Sequence, residues 1–131
     1  MTILNLLFSL LLLFNSPIKV EKEDISIDPV ISAINNNSSS DLAKFFESSI
    51  SLNVNGQQGS YSKNQAEIVI RDFFKKNPSQ GFSIVYSSET NPSLSSFIGD
   101  YLSEEGTFKV FIKVSQQESI LRIYSLEFVK G

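Results

Sequence analysis

From Ile27 onward the hydrophobic positions fall first at helical spacing and then at strand spacing. Asp28-Pro29 reads as a helix start, with Asp as N-cap and Pro at the first helical position, and Val30, Ile31 and Ile34 form one apolar stripe. Asn35-Asn36-Asn37 stops that helix. Ser38 to Ser40 then supply an N-cap for a second short helix, with Asp41 at its positive end and Leu42, Phe45 and Phe46 on one face. Ile50, Leu52 and Val54 alternate with Ser51 and Asn53, the period of a half-buried strand, and Asn55-Gly56 is a hairpin turn signal leading into a return strand to Tyr61. Ser62-Lys-Asn-Gln65 is a capping box. Behind it Ala66, Val69, Ile70, Phe73 and Phe74 keep helical spacing until Lys75-Lys76-Asn77-Pro78 closes the helix.

Everything after this helix has the period of strands: Phe82 to Ser87, Ser95 to Leu102, Thr107 to Val114 and Ile120 to Phe128. Asn91-Pro92-Ser93, Glu104-Glu105-Gly106 and Gln116-Gln117-Glu118 separate them by connections short enough for an antiparallel meander. In the third of these strands Phe108, Val110, Ile112 and Val114 share one face, while Lys109, Phe111 and Lys113 share the other. A sheet covered by helices on one side requires that division.

The first residues follow a different pattern. Ile3 to Phe14 is an almost unbroken apolar run, shorter than the roughly 20 residues of a membrane-spanning helix. It fits the apolar segment of a signal peptide, followed by Asn15-Ser16-Pro17 and the charged stretch Lys19 to Asp24. The expected organisation is a signal peptide at 1–16, a linker at 17–26 and one domain at 27–131, in an exported, periplasmic or secreted protein. Composition then narrows the chemistry. With no Cys and no His in 131 residues, thiolate nucleophiles, disulfides, the commonest metal ligand and the commonest neutral-pH base are all missing. Eleven basic and 14 acidic residues, a net charge of −3, leave no electrostatic footprint for nucleic acid. No phosphate loop, metal-ligand cluster or nucleophile elbow is present in the sequence, so neither cofactor nor metal is expected.

The order helix, helix, hairpin, capped helix and four antiparallel strands resembles the cone-shaped nuclear-transport-factor-2-like, or cystatin-like, α+β fold. More closely, Asn55-Gly-Gln-Gln-Gly-Ser-Tyr-Ser-Lys-Asn-Gln-Ala-Glu67 and Phe73-Phe-Lys-Lys-Asn-Pro78 resemble a bacterial exported family of unknown function with that fold, over Ile27 to about Phe128. The resemblance implies a bent sheet wrapped round the long helix, with a pocket at the wide end of the cone. It supplies no catalytic residue, because its motifs are turn and packing residues.

Few residues offer chemistry. Asp100 shares strand parity with Ile98 and Leu102; were that face turned into the cone, a carboxylate in a partly dry pocket would have the raised pKa of a general base. With the opposite parity Phe97 and Tyr101 turn inward and Asp100 is solvated, and Gly99 beside it is a place for a bulge. Tyr86 and Tyr124 are candidate hydrogen-bond donors at a pocket rim, and Arg122 is a candidate holder of an anionic group. Lys109, Phe111 and Lys113 form a candidate interaction face for a protein partner or a second copy. Two functions stay open at this level: a non-catalytic module binding a small apolar molecule or a protein, and a pocket enzyme of the isomerase or hydratase type using Asp100 with a tyrosine donor.

Overall fold

The computed structural model describes residues 26–131, so the signal-peptide reading of 1–16 and all but the last residue of the expected linker lie outside the described residues. Helix α1 is Asp28–Asn35, α2 is Ser39–Ala43, and strands β1 (Phe46–Val54) and β2 (Gln57–Ser62) follow. Helix α3 is Lys63–Lys76, succeeded by β3 (Gly81–Asn91), β4 (Leu94–Ser103), β5 (Gly106–Gln117) and β6 (Ile120–Lys130). Helix α3 starts where the sequence places it: Ser62 Oγ accepts from the Gln65 N–H while Gln65 Oε1 accepts from the Ser62 N–H, both at 3.3 Å. It ends at Asn77, whose backbone N–H and side-chain amide both donate to the Phe73 carbonyl, at 2.8 and 3.1 Å. Lys75 and Lys76 in its last turn oppose the negative helix end.

The two N-terminal helices differ from the expectation at their ends. Ile27, not Asp28, occupies the N-cap position of α1, and Asp28 lies within the first turn with its N–H bonded to Ser26 Oγ at 3.1 Å. Ser38 caps α2 as expected, accepting from the Asp41 N–H at 3.3 Å. That helix stops at Ala43, however, and Phe45 and Phe46 leave it. The Ile123 N–H donates to the Phe45 carbonyl at 2.7 Å and Phe46 pairs with Ile123, so bonds to a strand far along the chain prevail over local helical spacing.

The hairpin and the meander form one six-stranded sheet in the order β2-β1-β6-β5-β4-β3, not a four-stranded sheet beside a separate hairpin. The join is a parallel pairing of β1 with β6, the first long strand with the last, while every other neighbour is antiparallel. Asn55 and Gly56, with φ of 52° and 94°, make the two-residue turn of the β1–β2 hairpin. A second left-handed pair, Glu118 and Ser119, closes β5–β6, so β5 runs through Gln116 and Gln117, where the sequence suggested a turn.

Two bulges break the simple alternation of faces. In β3, Ile84 pairs with Gly99 but Tyr86 pairs with Ile98, so Val85 is the extra residue. In β6, Tyr124 stands unpaired between Ile123, opposite Val114, and Ser125, opposite Lys113. Each extra residue reverses which parity of its strand faces inward and bends the sheet. Gly99 is required opposite the first: a Cβ there would lie 2.5 Å from the Phe82 ring and 2.8 Å from the Ser83 carbonyl oxygen.

The helices cover one face of this sheet. Phe73 on α3 meets Phe128 at 4.5 Å between ring centroids, Phe108 at 5.1 Å, Tyr101 at 5.7 Å and Phe74 at 6.1 Å. Tyr101 is fully buried. Its hydroxyl donates to the Asn77 carbonyl and accepts from Asn37 Nδ2 at 2.8 Å, while Asn37 Oδ1 takes the Ser79 N–H at 2.8 Å. Asn35 Oδ1 takes the Phe82 N–H at 3.2 Å. Two of the asparagines read as a helix stop therefore fasten α1 to the start of β3 and to the end of α3.

Truncating Phe73 to Ala removes the ring that four others pack against and is expected to cost about 3–5 kcal/mol, a large part of the roughly 5–15 kcal/mol available to a small domain. Urea titration checks this, and a loss below about 1 kcal/mol would place the ring outside the core. Burial raises the Tyr101 phenol above its usual 10.0, against the opposing hydrogen bond from Asn37. The unfolded chain releases that proton at the ordinary value while the folded chain retains it, so the resulting stability is full below about pH 10 and is lost as the pH rises through the folded value. Between about pH 8 and pH 11, wild type is expected to lose more stability than Tyr101→Phe in paired urea titrations; equal losses would refute the assignment.

Candidate functional site

The strand pairings fix where each chemically interesting side chain stands. Tyr101 takes the inward parity of β4, so Asp100 lies on the outer face with Ile98 and Leu102, directly across from Lys109. Its carboxylate is ion-paired with the Lys109 ammonium, both side chains partly exposed. Asp100 therefore does not enter the cone. Tyr86 shares sequence parity with Phe82 and Ile84, but the bulge at Val85 turns it outward, where it is 58% exposed. Tyr124 is the half-buried bulge residue of β6, and the Arg122 guanidinium donates to the Lys44 carbonyl at 3.4 Å, beyond the end of α2. The four do not converge on one enclosed pocket; the aromatic rings around Phe73 occupy the space between α3 and the sheet.

What the structure brings together instead is an outer face arranged in rows. Tyr86, Ile98 and Phe111 stand side by side on β3, β4 and β5, and the row continues through Glu127 on β6 to Asn53 on β1. The next outward row is Ser88, Ser96, Lys113, Ser125, Ser51 and Ser60, five serines and one lysine across six strands. On the other flank Ser83, Asp100, Lys109 and Val129 lie in line. Lys109, Phe111 and Lys113 thus share this face, as their alternation required, and Tyr86 joins them through a bulge that periodicity does not announce. Small serine side chains leave the apolar row standing proud of its neighbour, a relief that a second flat surface can approach closely.

A second concavity opens at the end of the sheet that holds the β1–β2 and β4–β5 turns. This cleft of about 430 Å³ lies between α3 and the strand ends, lined by Val54, Val69, Phe73 and Phe108 below and by charged and amide side chains above. Its rim residues come from four separate elements, so no local sequence pattern announces it. Among the described residues no group of acidic side chains is placed to hold a metal ion, and no helix is long and apolar enough to cross a membrane.

Comparison with known proteins follows the same lines. A family protein from Bacteroides ovatus, described as DUF4783, superimposes with a TM-score of 0.74 at 24% identity, covering 79% of this chain and 93% of that one. A domain of unknown function with a cystatin-like fold from Nostoc punctiforme gives 0.63 at 11% identity, over 79% and 72% of the two chains. An NTF-2-like protein of unknown function from Silicibacter pomeroyi gives 0.61 at 15%, over 80% and 89%. No curated protein matches the chain. The α+β architecture with a curved sheet is therefore shared with cystatin-like and nuclear-transport-factor-2-like proteins. Residues 27–128 match the domain of unknown function DUF4783, and the chain belongs to that family.

Proposed function

We propose that the protein is an exported, non-catalytic interaction module whose outer sheet face docks a protein partner, a second copy of the chain being the partner that fits best. The observation that carries this reading is the outward row Tyr86, Ile98 and Phe111 beside a row of serines, on the face that no helix among the described residues covers. A face that is apolar at its centre and polar at its margins is the composition of a protein interface. Lys113 and Glu127 stand on this face without an ion pair among the described residues, so two copies related by a two-fold axis can exchange the pair. Catalysis of the isomerase type would need a buried acid or base, whereas Asp100 is held by Lys109 at the surface.

Native mass spectrometry of the wild type at micromolar concentration is expected to report a dimer. Phe111→Lys and Tyr86→Lys, at positions that lie outside the core, are each expected to weaken it at least about tenfold, about 1.4 kcal/mol, with unchanged thermal midpoints. A wild-type monomer, or a dimer indifferent to both substitutions, would remove this reading. Export rests on the short leucine-rich run and the polar stretch behind it. Intact-mass measurement of the native protein should find it beginning between about residues 17 and 25, and an intact N-terminus on cytoplasmic protein would count against it.

A further inference from the structure

The cleft at the end of the sheet combines an apolar floor with two charged side chains, Glu105 and Lys130, that have no partner among the described residues. Phe73 and Phe108, edge to face with centroids 5.1 Å apart, form the back of the floor, and half-buried Val54 and Val69 flank them. On the α3 side of the rim Lys76 is already neutralised by Asp72 at 3.0 Å, one helical turn away. On the sheet side stand Glu105 in the β4–β5 turn and Lys130 near the end of β6. Lys130 has the inward parity of its partner Phe108, and its Cε lies 3.3 Å from where a Cβ on Gly106 would stand, so it reaches across that turn beside Glu105. Neither Glu105 nor Lys130 makes an ion pair or a side-chain hydrogen bond among the described residues.

We infer that this cleft binds a small zwitterion with an apolar body, an apolar α-amino acid, whose ammonium meets Glu105, whose carboxylate meets Lys130 and whose side chain lies on Val54, Val69 and the Phe108 ring. Charge selects this class. The four rim charges sum to zero, with one of each sign free. A phosphate or dicarboxylate would find a single unengaged cation and two carboxylates nearby, and a simple amine would face Lys76 and Lys130. A ligand carrying both charges satisfies both free groups without leaving either opposed. The volume lies within the roughly 300–1,000 Å³ of small-molecule sites, and the floor supplies apolar contact that the charges alone lack.

The test is an ¹⁵N–¹H NMR titration of the exported protein with L-phenylalanine, in parallel with 3-phenylpropionate and phenethylamine, which each carry one of its two charges. L-Phenylalanine is expected to shift amides in 54–57, 69–77, 105–108 and at 130, and to bind at least about tenfold more tightly than either analogue. Glu105→Gln and Lys130→Gln should each weaken it about tenfold with unchanged thermal midpoints, since both side chains are on the surface, whereas Glu89→Gln, exposed on β3, should leave it unaltered. Shifts absent up to about 10 mM, shifts centred elsewhere, an analogue that binds as tightly, or indifference to both rim substitutions would overturn the assignment.

Discussion

Tyr101 has no exposed surface, and that burial imposes a condition the rest of the domain is built to meet. A buried phenol needs partners for its hydroxyl, and leaving one unpaired costs about 1–3 kcal/mol. The partners are the last carbonyl region of α3, at Asn77, and the amide of Asn37 just past α1. Two segments distant in sequence are thereby fixed to one atom of β4. The ring beneath that hydroxyl packs against Phe73, Phe74, Phe82, Phe108 and Phe128, so the polar clamp and the aromatic core hold each other in place. Asn37 suits its role because it accepts a left-handed conformation, φ 54°, that turns its amide back under the sheet.

Local rules account for the elements that local rules govern. Ser62 and Gln65 wrote the start of α3, Asn55-Gly56 the first hairpin, and the spacing of Ala66, Ile70, Phe73 and Phe74 the buried face of the long helix. What stayed hidden depends on partners far along the chain. Nothing near Phe46 says that its strand will lie parallel to one that begins at Ile120, and this pairing ended α2 early and joined hairpin and meander into one sheet. The bulge at Tyr124 is silent in sequence, because the extra residue is an ordinary β-former, and the one at Val85 is signalled only across the ladder, by Gly99. The site suffered more than the fold for this reason. A slip of one residue moves a strand's whole apolar set to the other face, so Tyr86, which shares sequence parity with Ile84, faces outward.

The candidate polar side chains lie outside the space beneath α3 for separate reasons. Aromatic side chains fill the space beneath α3, and the polar groups that a catalytic interior would need have been turned to the surface or engaged there, Asp100 by Lys109 and Arg122 by the backbone at Lys44. A core packed with rings is stable but has little space to lend a substrate. The likeness to cystatin-like and nuclear-transport-factor-2-like proteins is one of architecture.

Bending and recognition have a common origin in this sheet. A sheet that wraps a helix needs residues that break its regular register, and bulges supply the curvature. The bulge at Val85 bends β3 and in doing so carries Tyr86 to the outer face, beside Ile98 and Phe111. Without it Tyr86 would sit with Ile84 on the helix-covered side, and Val85 would stand opposite Ile98 in the outer row. The bulge that bends the sheet is therefore also the device that places an aromatic ring in that row. At the other end of the sheet the turns carrying Asn55 and Glu105 face Asp72 and Lys76 of α3 across the cleft above Phe73 and Phe108.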